Sequence, residues 1–268
     1  MKIGIIGLGL IGGSLLKALA DKGFEIFAVT GNADTLEKAR RYCSAVSHDI
    51  SVLSDCEVVF ASVPMSETVN ILHKLETVLP ETAVVTDVSS LKSFVMKEKY
   101  KFNFVGSHPM AGTEFSGFDN SDENMFDGAK WVITPYPGTD KKVLEKLENV
   151  ILKTGAAIVY ANAEEHDIAA AKISHMPMLI AQALFSAVKD DDLALKLASS
   201  GFRDMTRLAM SNVDMAEDML NMNTENIENA LKGLNQAVND LKQDYKAKIS
   251  ELKKQRQAMY DKNGKNKI

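Results

Sequence analysis

Six residues near the start of the chain constrain its fold more than any others. They follow a short apolar run rich in β-branched residues and precede an apolar stretch that suits a helix. In such a strand–turn–helix unit the first glycine permits the tight turn, the second lets the backbone approach a diphosphate, and the third lets the helix pack on the strand. The pattern predicts a Rossmann unit that binds a dinucleotide through Gly7, Leu8, Gly9, Leu10, Ile11 and Gly12.

A secretory signal peptide is the alternative interpretation of this N-terminus, because its apolar run ends at Ala18-Leu19-Ala20. The patterned glycines and the interruption by Lys17 oppose it, and residues 25–29 supply the second strand of a βαβ unit. We find no later segment with the 18 or so apolar residues of a membrane span, and therefore expect no membrane association.

Predicted strands and helices alternate up to about residue 161, after which the chain is almost entirely helical in pattern. This alternation predicts an α/β N-terminal Rossmann domain, with a doubly wound and mostly parallel sheet, over residues 1–161. An all-α C-terminal domain for substrate binding and dimerisation is expected over 162–268. The predicted strands are 2–6, 25–29, 57–62, 82–87, 103–106, 130–134 and 157–160, and the main N-terminal helices are 14–22, 34–41, 66–79, 91–99 and 140–153.

Composition excludes several classes of function. The formal net charge is −5, which argues against nucleic-acid binding. Cys43 and Cys56 form no CxxC pair and are interpreted as reduced thiols of a cytoplasmic protein. We expect no metal site, and we interpret His166, within Glu164-Glu-His-Asp167, as part of a polar helix start.

The residues after the second strand bear on the choice of cofactor. NAD enzymes commonly carry an acidic residue there for the ribose hydroxyls, but this chain has Val29-Thr-Gly-Asn32, and Asp34 is interpreted as a helix cap. Without a carboxylate to repel a 2′-phosphate, NADP is favoured over NAD, with Arg40 or Arg41 lending charge. The predicted cofactor residues beyond the glycine turn are Thr30, Asn32, Ser62 and Pro64.

Four further segments closely resemble the prephenate/arogenate dehydrogenase family of tyrosine biosynthesis. They are DVSSLK at 87–92, GSHPMAGTE at 106–114, ISHMP at 173–177 and GFRDMTR at 201–207. The resemblance extends from residue 1 to about 245. It implies an oxidative decarboxylation of prephenate or arogenate with hydride transfer to NAD(P), in a homodimer whose helical domains intertwine. The residues do not choose between the two small anionic cyclohexadiene substrates.

His108 is the candidate catalytic residue, because histidine accepts a proton well near neutral pH and the residue follows a predicted strand end. The resemblance implies that Ser90 holds the substrate hydroxyl and orients His108. A guanidinium suits the substrate carboxylate, which makes Arg207 the candidate anion site. The remaining candidates lining the pocket are His175, Thr113, Glu114, Arg203 and Asp204, and the alternative for Arg203, Asp204 and Arg207 is a solvated ion-pair cluster within one helix.

A heptad spacing joins Ile227, Leu231, Leu234, Val238, Leu241 and Tyr245 and predicts a helix that packs on its own domain or on a partner subunit. The tail from Lys253 is expected to be solvated. Residues 214–218 depart from the family, whose members often carry a tryptophan there. Two other functions stay open: another Rossmann dehydrogenase with a helical dimer domain, of the 3-hydroxyacid dehydrogenase or imine reductase type, and a non-catalytic dinucleotide sensor.

Overall fold

The computed structural model describes residues 1–260. Its first sheet contains six strands: β1 (Lys2–Ile6), β2 (Glu25–Val29), β3 (Ala45–Ser47), β4 (Val58–Ala61), β5 (Val84–Asp87) and β6 (Asn103–Phe104). All are parallel, in the order β3-β2-β1-β4-β5-β6. This order, with the crossover between β3 and β4, is that of a doubly wound Rossmann sheet, as the glycine turn predicts.

Helices cover both faces of this sheet, so its central strands are apolar on both sides. Every residue of β4 and β5 is buried, as are Ile3 and Ile5 of β1. The covering helices are α1 (Leu10–Leu19), α2 (Ala33–Ala39), α3 (Met65–Leu75) and α4 (Ser93–Met96). The predicted α/β class is therefore confirmed, although α4 is shorter than the helix predicted over 91–99.

The chain then leaves the first sheet and forms a second, three-stranded one. It consists of β7 (Gly106–Pro109), β8 (Lys130–Thr134) and β9 (Ala157–Tyr160), with α5 (Lys141–Leu152) between the last two strands. The β7–β8 pair is antiparallel and the β8–β9 pair is parallel.

The prediction of one strand over 103–106 that ends in a loop carrying His108 is therefore wrong. His108 lies inside β7, opposite Val132 of β8. Gly106 permits the switch between the sheets, because a Cβ atom there would lie 2.5 Å from Thr134 Oγ1. The antiparallel partner holds His108 on a strand rather than on a mobile loop.

From residue 163 the structure is helical throughout its described part. The helices are α6 (Ala163–Ala170), a π-helical turn (Ala171–His175), α7 (Met176–Val188), α8 (Asp192–Leu197), α9 (Ser200–Thr206), a 3₁₀ turn (Arg207–Met210), α10 (Val213–Met222), α11 (Thr224–Leu241) and α12 (Tyr245–Met259). A capping box formed by Asn162 and Glu165 fixes the start of α6.

A small apolar cluster joins the two halves of the chain. Met65 of α3 and Leu91 pack with Met178 of α7 and with Ala216 and Met219 of α10. Ala216, within the 214–218 segment, is buried in this cluster. The contact fixes α7 and α10 against the carboxyl side of the Rossmann sheet.

The predicted heptad seam holds only in part. Ile227 is buried within the chain, whereas Val238 is 45% exposed. The helix α11 ends at Leu241, and Asp244 takes a left-handed backbone conformation with φ 55°, so Tyr245 begins α12 instead of continuing the seam. The tail expected to be solvated from Lys253 lies in α12 up to Met259, and residues 261–268 lie outside the described part.

One helical run departs from the expectation that no segment resembles a membrane span. Residues Ala163–Val188 form 26 helical residues that are long and apolar enough to cross a membrane. Only 28% of its most apolar window is buried in this chain, with Ile173 66% and Phe185 44% exposed. A helix covered by another protein surface has the same composition, so this run presents an apolar face that the rest of the single chain leaves largely exposed.

Candidate active site

The glycine turn between β1 and α1 has the geometry of a diphosphate cradle. Gly7 has φ 90°, and a Cβ atom there would lie 2.1 Å from the carbonyl oxygen of Ser62. A Cβ atom at Gly12 would lie 1.9 Å from the Gly7 carbonyl oxygen, whereas one at Gly9 would meet nothing within 4 Å. Since no side chain caps α1, its first N–H groups remain available to an anion beside the open space at Gly9.

The other predicted cofactor residues flank this turn. Ser62 donates its backbone N–H to Ile6 at 2.7 Å, which fixes the end of β4 against the start of the turn. Pro64 stands immediately before α3, where its missing N–H costs no helical hydrogen bond. Both residues therefore lie at the carboxyl ends of the strands, where open α/β sheets bind their ligands.

At the end of β2, the side-chain oxygens of Thr30 and Asn32 already accept hydrogen bonds from the local backbone. Thr30 is buried, and its hydroxyl accepts the backbone N–H of Asn32 at 3.3 Å. Asn32 caps α2 by accepting the Thr35 N–H at 2.9 Å, so the interpretation of Asp34 as the cap is wrong. Asn32 adopts the extended conformation that a cap requires, and its side-chain amide nitrogen has no hydrogen-bond partner within residues 1–260.

The two cations expected near a 2′-phosphate both have local partners. Arg40 pairs with Glu37 at 3.0 Å, and the Arg41 guanidinium lies 4.8 Å from the centre of the Tyr42 ring. Arg41 stays unpaired with any carboxylate in the described residues, so of the two it is the freer to approach a phosphate.

The candidate catalytic histidine belongs to a buried chain of three side chains that crosses between the two halves. Nδ1 of His108 lies 2.9 Å from Nε2 of His166, and Nδ1 of His166 lies 2.8 Å from Oδ1 of Asp167. The two imidazole rings meet edge to face at 73°. All three residues are less than 10% exposed. His166 and Asp167 therefore belong to the site, although the sequence led us to interpret them only as a polar helix start.

Asp167 is held by the Rossmann half. Its Oδ1 accepts the backbone N–H of Lys92 at 2.7 Å and its Oδ2 accepts that of Ser93 at 2.8 Å, at the beginning of α4. Burial alone would raise the pKa of this carboxyl, but the hydrogen bonds from His166, Ser93 and Lys92 hold it below its ordinary value. The carboxylate is therefore ionised and can only accept hydrogen bonds.

A buried ion pair lies beneath His108. Lys92 is completely buried, contacts the Asp87 carboxylate and donates to the Ser107 carbonyl oxygen at 2.6 Å. The same carboxylate accepts the backbone N–H groups of Ser89 at 3.0 Å and Ser107 at 3.2 Å. This network joins the end of β5 to β7 in the residue next to His108, so it fixes the strand that carries the catalytic side chain.

The position of Ser90 differs from the expectation that it orients His108. Nδ1 of His108 is bonded to His166, and Ser90 is half-buried with no hydrogen bond to His108 within residues 1–260. The neighbouring Ser89 is buried and shares a hydrogen bond of 3.0 Å with Thr68. The hydrogen bond that orients the His108 ring in the described residues therefore comes from His166.

The environment of His108 keeps its imidazole neutral. Burial lowers the pKa of His108 well below 6.5, and the positive charges possible at His166, Lys92 and His175 lower it further. Its Nε2 has no hydrogen-bond partner in the described part of the chain. A neutral imidazole with one nitrogen held and the other unpaired is suited to accept a hydroxyl proton.

The predicted anion site joins the loop after His108 to the helical half. Arg207 begins the 3₁₀ turn after α9, and its guanidinium lies 3.5 Å from Oε2 of Glu114. Its side chain is 57% exposed, so it can still bind a carboxylate. Thr113 is exposed in the same loop. Arg203 and Asp204 form an exposed ion pair at 3.3 Å, as the solvated alternative for these two residues describes.

His175 is placed differently from the other candidates. It ends the π-helical turn and is fully buried; its Nδ1 lies 3.1 Å from the Asn223 amide nitrogen, and its Nε2 has no partner. Burial lowers the pKa of His175 to about 4. Within residues 1–260, no group of three or more His, Cys, Asp or Glu side chains is arranged to hold a metal ion.

Comparisons with known proteins identify the family to which both halves of the chain are similar. Residues 17–160 match the family model described as "Prephenate dehydrogenase, nucleotide-binding domain", and residues 162–256 match "Prephenate dehydrogenase, dimerization domain". The prephenate dehydrogenase of Bacillus subtilis is 32% identical over 240 residues, covering 83% of this chain. The chain spans 64% of the length of that relative.

Two solved structures resemble the whole chain. Prephenate dehydrogenase from Aquifex aeolicus, in complex with hydroxyphenyl propionate and NAD⁺, is 31% identical with a TM-score of 0.86, covering 96% of this chain and 97% of that one. Synechocystis arogenate dehydrogenase is 33% identical with a TM-score of 0.81, covering 96% and 98%. Together with the two domain matches and the cradle described above, these likenesses show that the chain belongs to the prephenate/arogenate dehydrogenase family.

Proposed function

We propose that this chain catalyses the oxidative decarboxylation of prephenate or arogenate, giving 4-hydroxyphenylpyruvate or tyrosine. The observation that carries the proposal is the neutral, buried His108, whose Nε2 is unpaired while its Nδ1 is held by His166. Family membership supplies the reaction class, since both the Aquifex and the Synechocystis relatives bear names of this chemistry. It also disfavours the alternative dehydrogenases and the sensor.

A dinucleotide held by the glycine turn from Gly7 to Gly12 would supply a nicotinamide ring to accept the hydride from the carbon bearing the substrate hydroxyl. His108 accepts the proton of that hydroxyl at Nε2, while Ser90 holds the hydroxyl oxygen. The ring carboxylate then leaves as CO₂, and aromatisation drives the reaction. Exclusion of water at the buried His108 keeps this acceptor neutral until substrate binds.

Substrate anions are bound at the edge of the helical half. Arg207 binds a carboxylate with its planar guanidinium, and Glu114 holds that guanidinium in place. Thr113 and His175 line the same pocket in our proposal, with Arg203 and Asp204 on the adjacent turn. His175 is fully buried in the single chain, so contact between its side chain and the substrate requires the surrounding helices to shift.

NADP remains our preferred cofactor over NAD. No acidic residue occupies positions 30–33 directly after β2, the Asn32 side-chain amide nitrogen has no partner, and Arg41 has no carboxylate partner in the described residues. These features remove the repulsion that a carboxylate would exert on a 2′-phosphate. The glycine cradle itself suits either cofactor, since the diphosphate is common to both.

The proposed assembly is a homodimer. In each subunit the Rossmann domain ends at residue 161 and the helical domain begins at residue 162. The apolar face of Ala163–Val188, and the exposed Val238 of the seam, would be covered by the partner's helical domain.

Cys43 and Cys56 are free thiols whose pKa values burial raises to about 11 and about 12. Because two cysteines without a CxxC pair do not form a disulfide framework, we propose a cytoplasmic location.

The test is an absorbance assay at the wavelength of reduced nicotinamide. It crosses prephenate and arogenate with NAD and NADP for the wild type, for His108→Asn and for His73→Asn. His73 lies on α3, is exposed and pairs with Glu76, so its replacement is a matched control. We expect substrate-dependent reduction that falls by a factor of about 10² or more in His108→Asn and is unchanged in His73→Asn.

The four combinations also identify the substrate and the cofactor. Faster reduction with NAD than with NADP would overturn the cofactor preference alone. Absence of reduction in every combination, from folded protein that still binds dinucleotide, would overturn the proposed function.

A further inference from the structure

The chain of hydrogen bonds behind His108 defines which nitrogen of each ring carries a hydrogen. It begins at Asp167, whose carboxylate accepts two backbone N–H groups at the start of α4 and one hydrogen bond from Nδ1 of His166. Because an ionised carboxylate has no hydrogen to donate, Nδ1 of His166 must carry one.

The same reasoning extends to the catalytic ring. In its neutral form His166 has one N–H and one bare nitrogen, so in that form its Nε2 is bare and can only accept. Nδ1 of His108 faces it at 2.9 Å and must donate. The remaining nitrogen of His108, Nε2, is then bare and is the one without a partner in the described residues.

We propose that His166 and Asp167 are positioning residues that select the Nδ1–H tautomer of His108 and so aim a bare Nε2 at the substrate hydroxyl. The inference rests on the proposed function and deepens it. Asp167 acts through its hydrogen bond to His166, and His166 acts through its hydrogen bond to His108; neither needs to touch substrate. Because Asp167 also caps α4 of the Rossmann half, the tautomer depends on the docking of the helical half.

The arrangement also accounts for the proton during the reaction. The hydroxyl O–H bond breaks as its proton forms a bond to Nε2 of His108, and the oxygen's electrons form the carbonyl as hydride leaves the same carbon. The resulting imidazolium keeps its Nδ1–H bonded to the lone pair of His166. When the ring carboxylate departs as CO₂, the electrons of the broken bond enter the ring and make it aromatic, the carbonyl π electrons move onto the oxygen, and that oxygen takes the proton back from Nε2.

The tautomers can be observed directly by nuclear magnetic resonance. The chain has five histidines, so a full-length sample with ¹⁵N-labelled histidine gives few ring signals, which single variants assign. At pH 7.5, we expect both His108 and His166 to show a protonated Nδ1 and a bare Nε2. A hydrogen on Nε2 of His108, or hydrogens on both nitrogens of His166, would overturn the proposal.

Two variants at the same position separate a positioning role from a packing role. His166→Phe keeps an aromatic ring but removes the acceptor, whereas His166→Gln offers an amide oxygen to Nδ1 of His108. We expect kcat to fall about 10- to 100-fold in His166→Phe with KM changed less than about threefold, and His166→Gln to recover most of kcat. His73→Phe, an exposed replacement of the same kind, is the control.

The outcomes distinguish this inference from the function on which it rests. Wild-type kcat in His166→Phe, or equal losses in the Phe and Gln variants, would refute positioning through the hydrogen bond. If His166→Phe does not fold, the wild-type spectrum still decides the tautomer. A protein with the expected tautomers but no turnover on either substrate would refute the proposed function and leave the tautomer assignment standing.

Discussion

Replacement of Lys92 by methionine tests the buried ion pair beneath His108. Lys92 is completely buried, and so is Asp87, whose carboxylate would keep only the backbone N–H groups of Ser89 and Ser107. Methionine fills nearly the same volume without the ammonium group. The variant therefore isolates the loss of the charge and of the donor to the Ser107 carbonyl from the loss of packing.

The expected cost follows from leaving one charge buried without its partner, about 3–5 kcal/mol in unfolding free energy. With a urea m-value of about 3 kcal/mol per molar for a chain of this size, the unfolding midpoint should fall by about 1–1.7 M. The assay is urea unfolding followed by circular dichroism. Protein concentration is held fixed because dimerisation contributes to the apparent stability.

Lys38→Met is the matched control, since Lys38 also pairs with carboxylates, at 2.7 Å to Asp34 and 2.8 Å to Asp119, but on the surface. We expect its midpoint to stay within the error of the fit, because exposed ion pairs are screened by solvent. Equal shifts in the two variants, or a shift below about 0.3 M for Lys92→Met, would refute the reasoning that an uncompensated buried charge decides the outcome.

Four further predictions concern residues of the site. Gly9→Ala should keep the wild-type melting temperature but weaken dinucleotide binding at least about tenfold in a fluorescence titration, because its Cβ atom occupies only the open cradle. Gly12→Ala should instead lower the melting temperature, because its Cβ atom would lie 1.9 Å from a backbone oxygen. A stable Gly12→Ala and an unstable Gly9→Ala would contradict the assigned roles. Arg207→Lys should raise KM about tenfold with a much smaller change in kcat, since it exchanges a bidentate for a single-point anion contact, and a loss confined to kcat in steady-state assays would exclude a binding role. Because burial lowers the pKa of His108 well below 6.5, its neutral form persists as the pH falls through 6.5, so kcat/KM should stay level from pH 8 to 6. As the pH falls, the His108 imidazole becomes protonated in the unfolded state before it does in the folded state. Its contribution to stability is therefore complete above about pH 6.5 and is lost as the pH falls below that value. Urea midpoints measured at pH 7.5, 6.5 and 5.5 should decline less in His108→Asn than in the wild type.

Local sequence patterns predicted the first sheet well. The strands β1 and β2 occupy the same residues as predicted, because an apolar run next to a glycine turn needs no distant information. The transfer of β7 into a second sheet was missed, since its partner β8 begins more than 20 residues later and pairing of that range leaves no local signal. The cap of α2 was misplaced by two residues, because Asn32 and Asp34 are both good capping residues and only the backbone conformation chooses between them.

Sequence motifs predicted the catalytic histidine but not its contacts with distant segments of the chain. His108 stands out within its motif, but His166 reaches it across 58 residues of chain, and a lone histidine in a polar helix start has no local mark of that contact. The adjacent Asp167 was the available signal, since a histidine beside a carboxylate at the first turn after the Rossmann half is a suitable tautomer-fixing pair. Lys92 was likewise seen only as part of a motif; its complete burial depends on the approach of β7 and α6.

The π-helical turn at Ala171–His175 sets which side chains of the α6–α7 run share a face. Each residue of an α-helix advances about 100°, so a regular helix would place His166 and His175 on opposite sides, yet both are buried in one cluster. The turn carries the extra residue that changes this phase. Deletion of a single codon between 171 and 174 would therefore rotate the apolar face of α7 by about 100° relative to α6, and would misalign the histidines and the subunit surface in one mutational step.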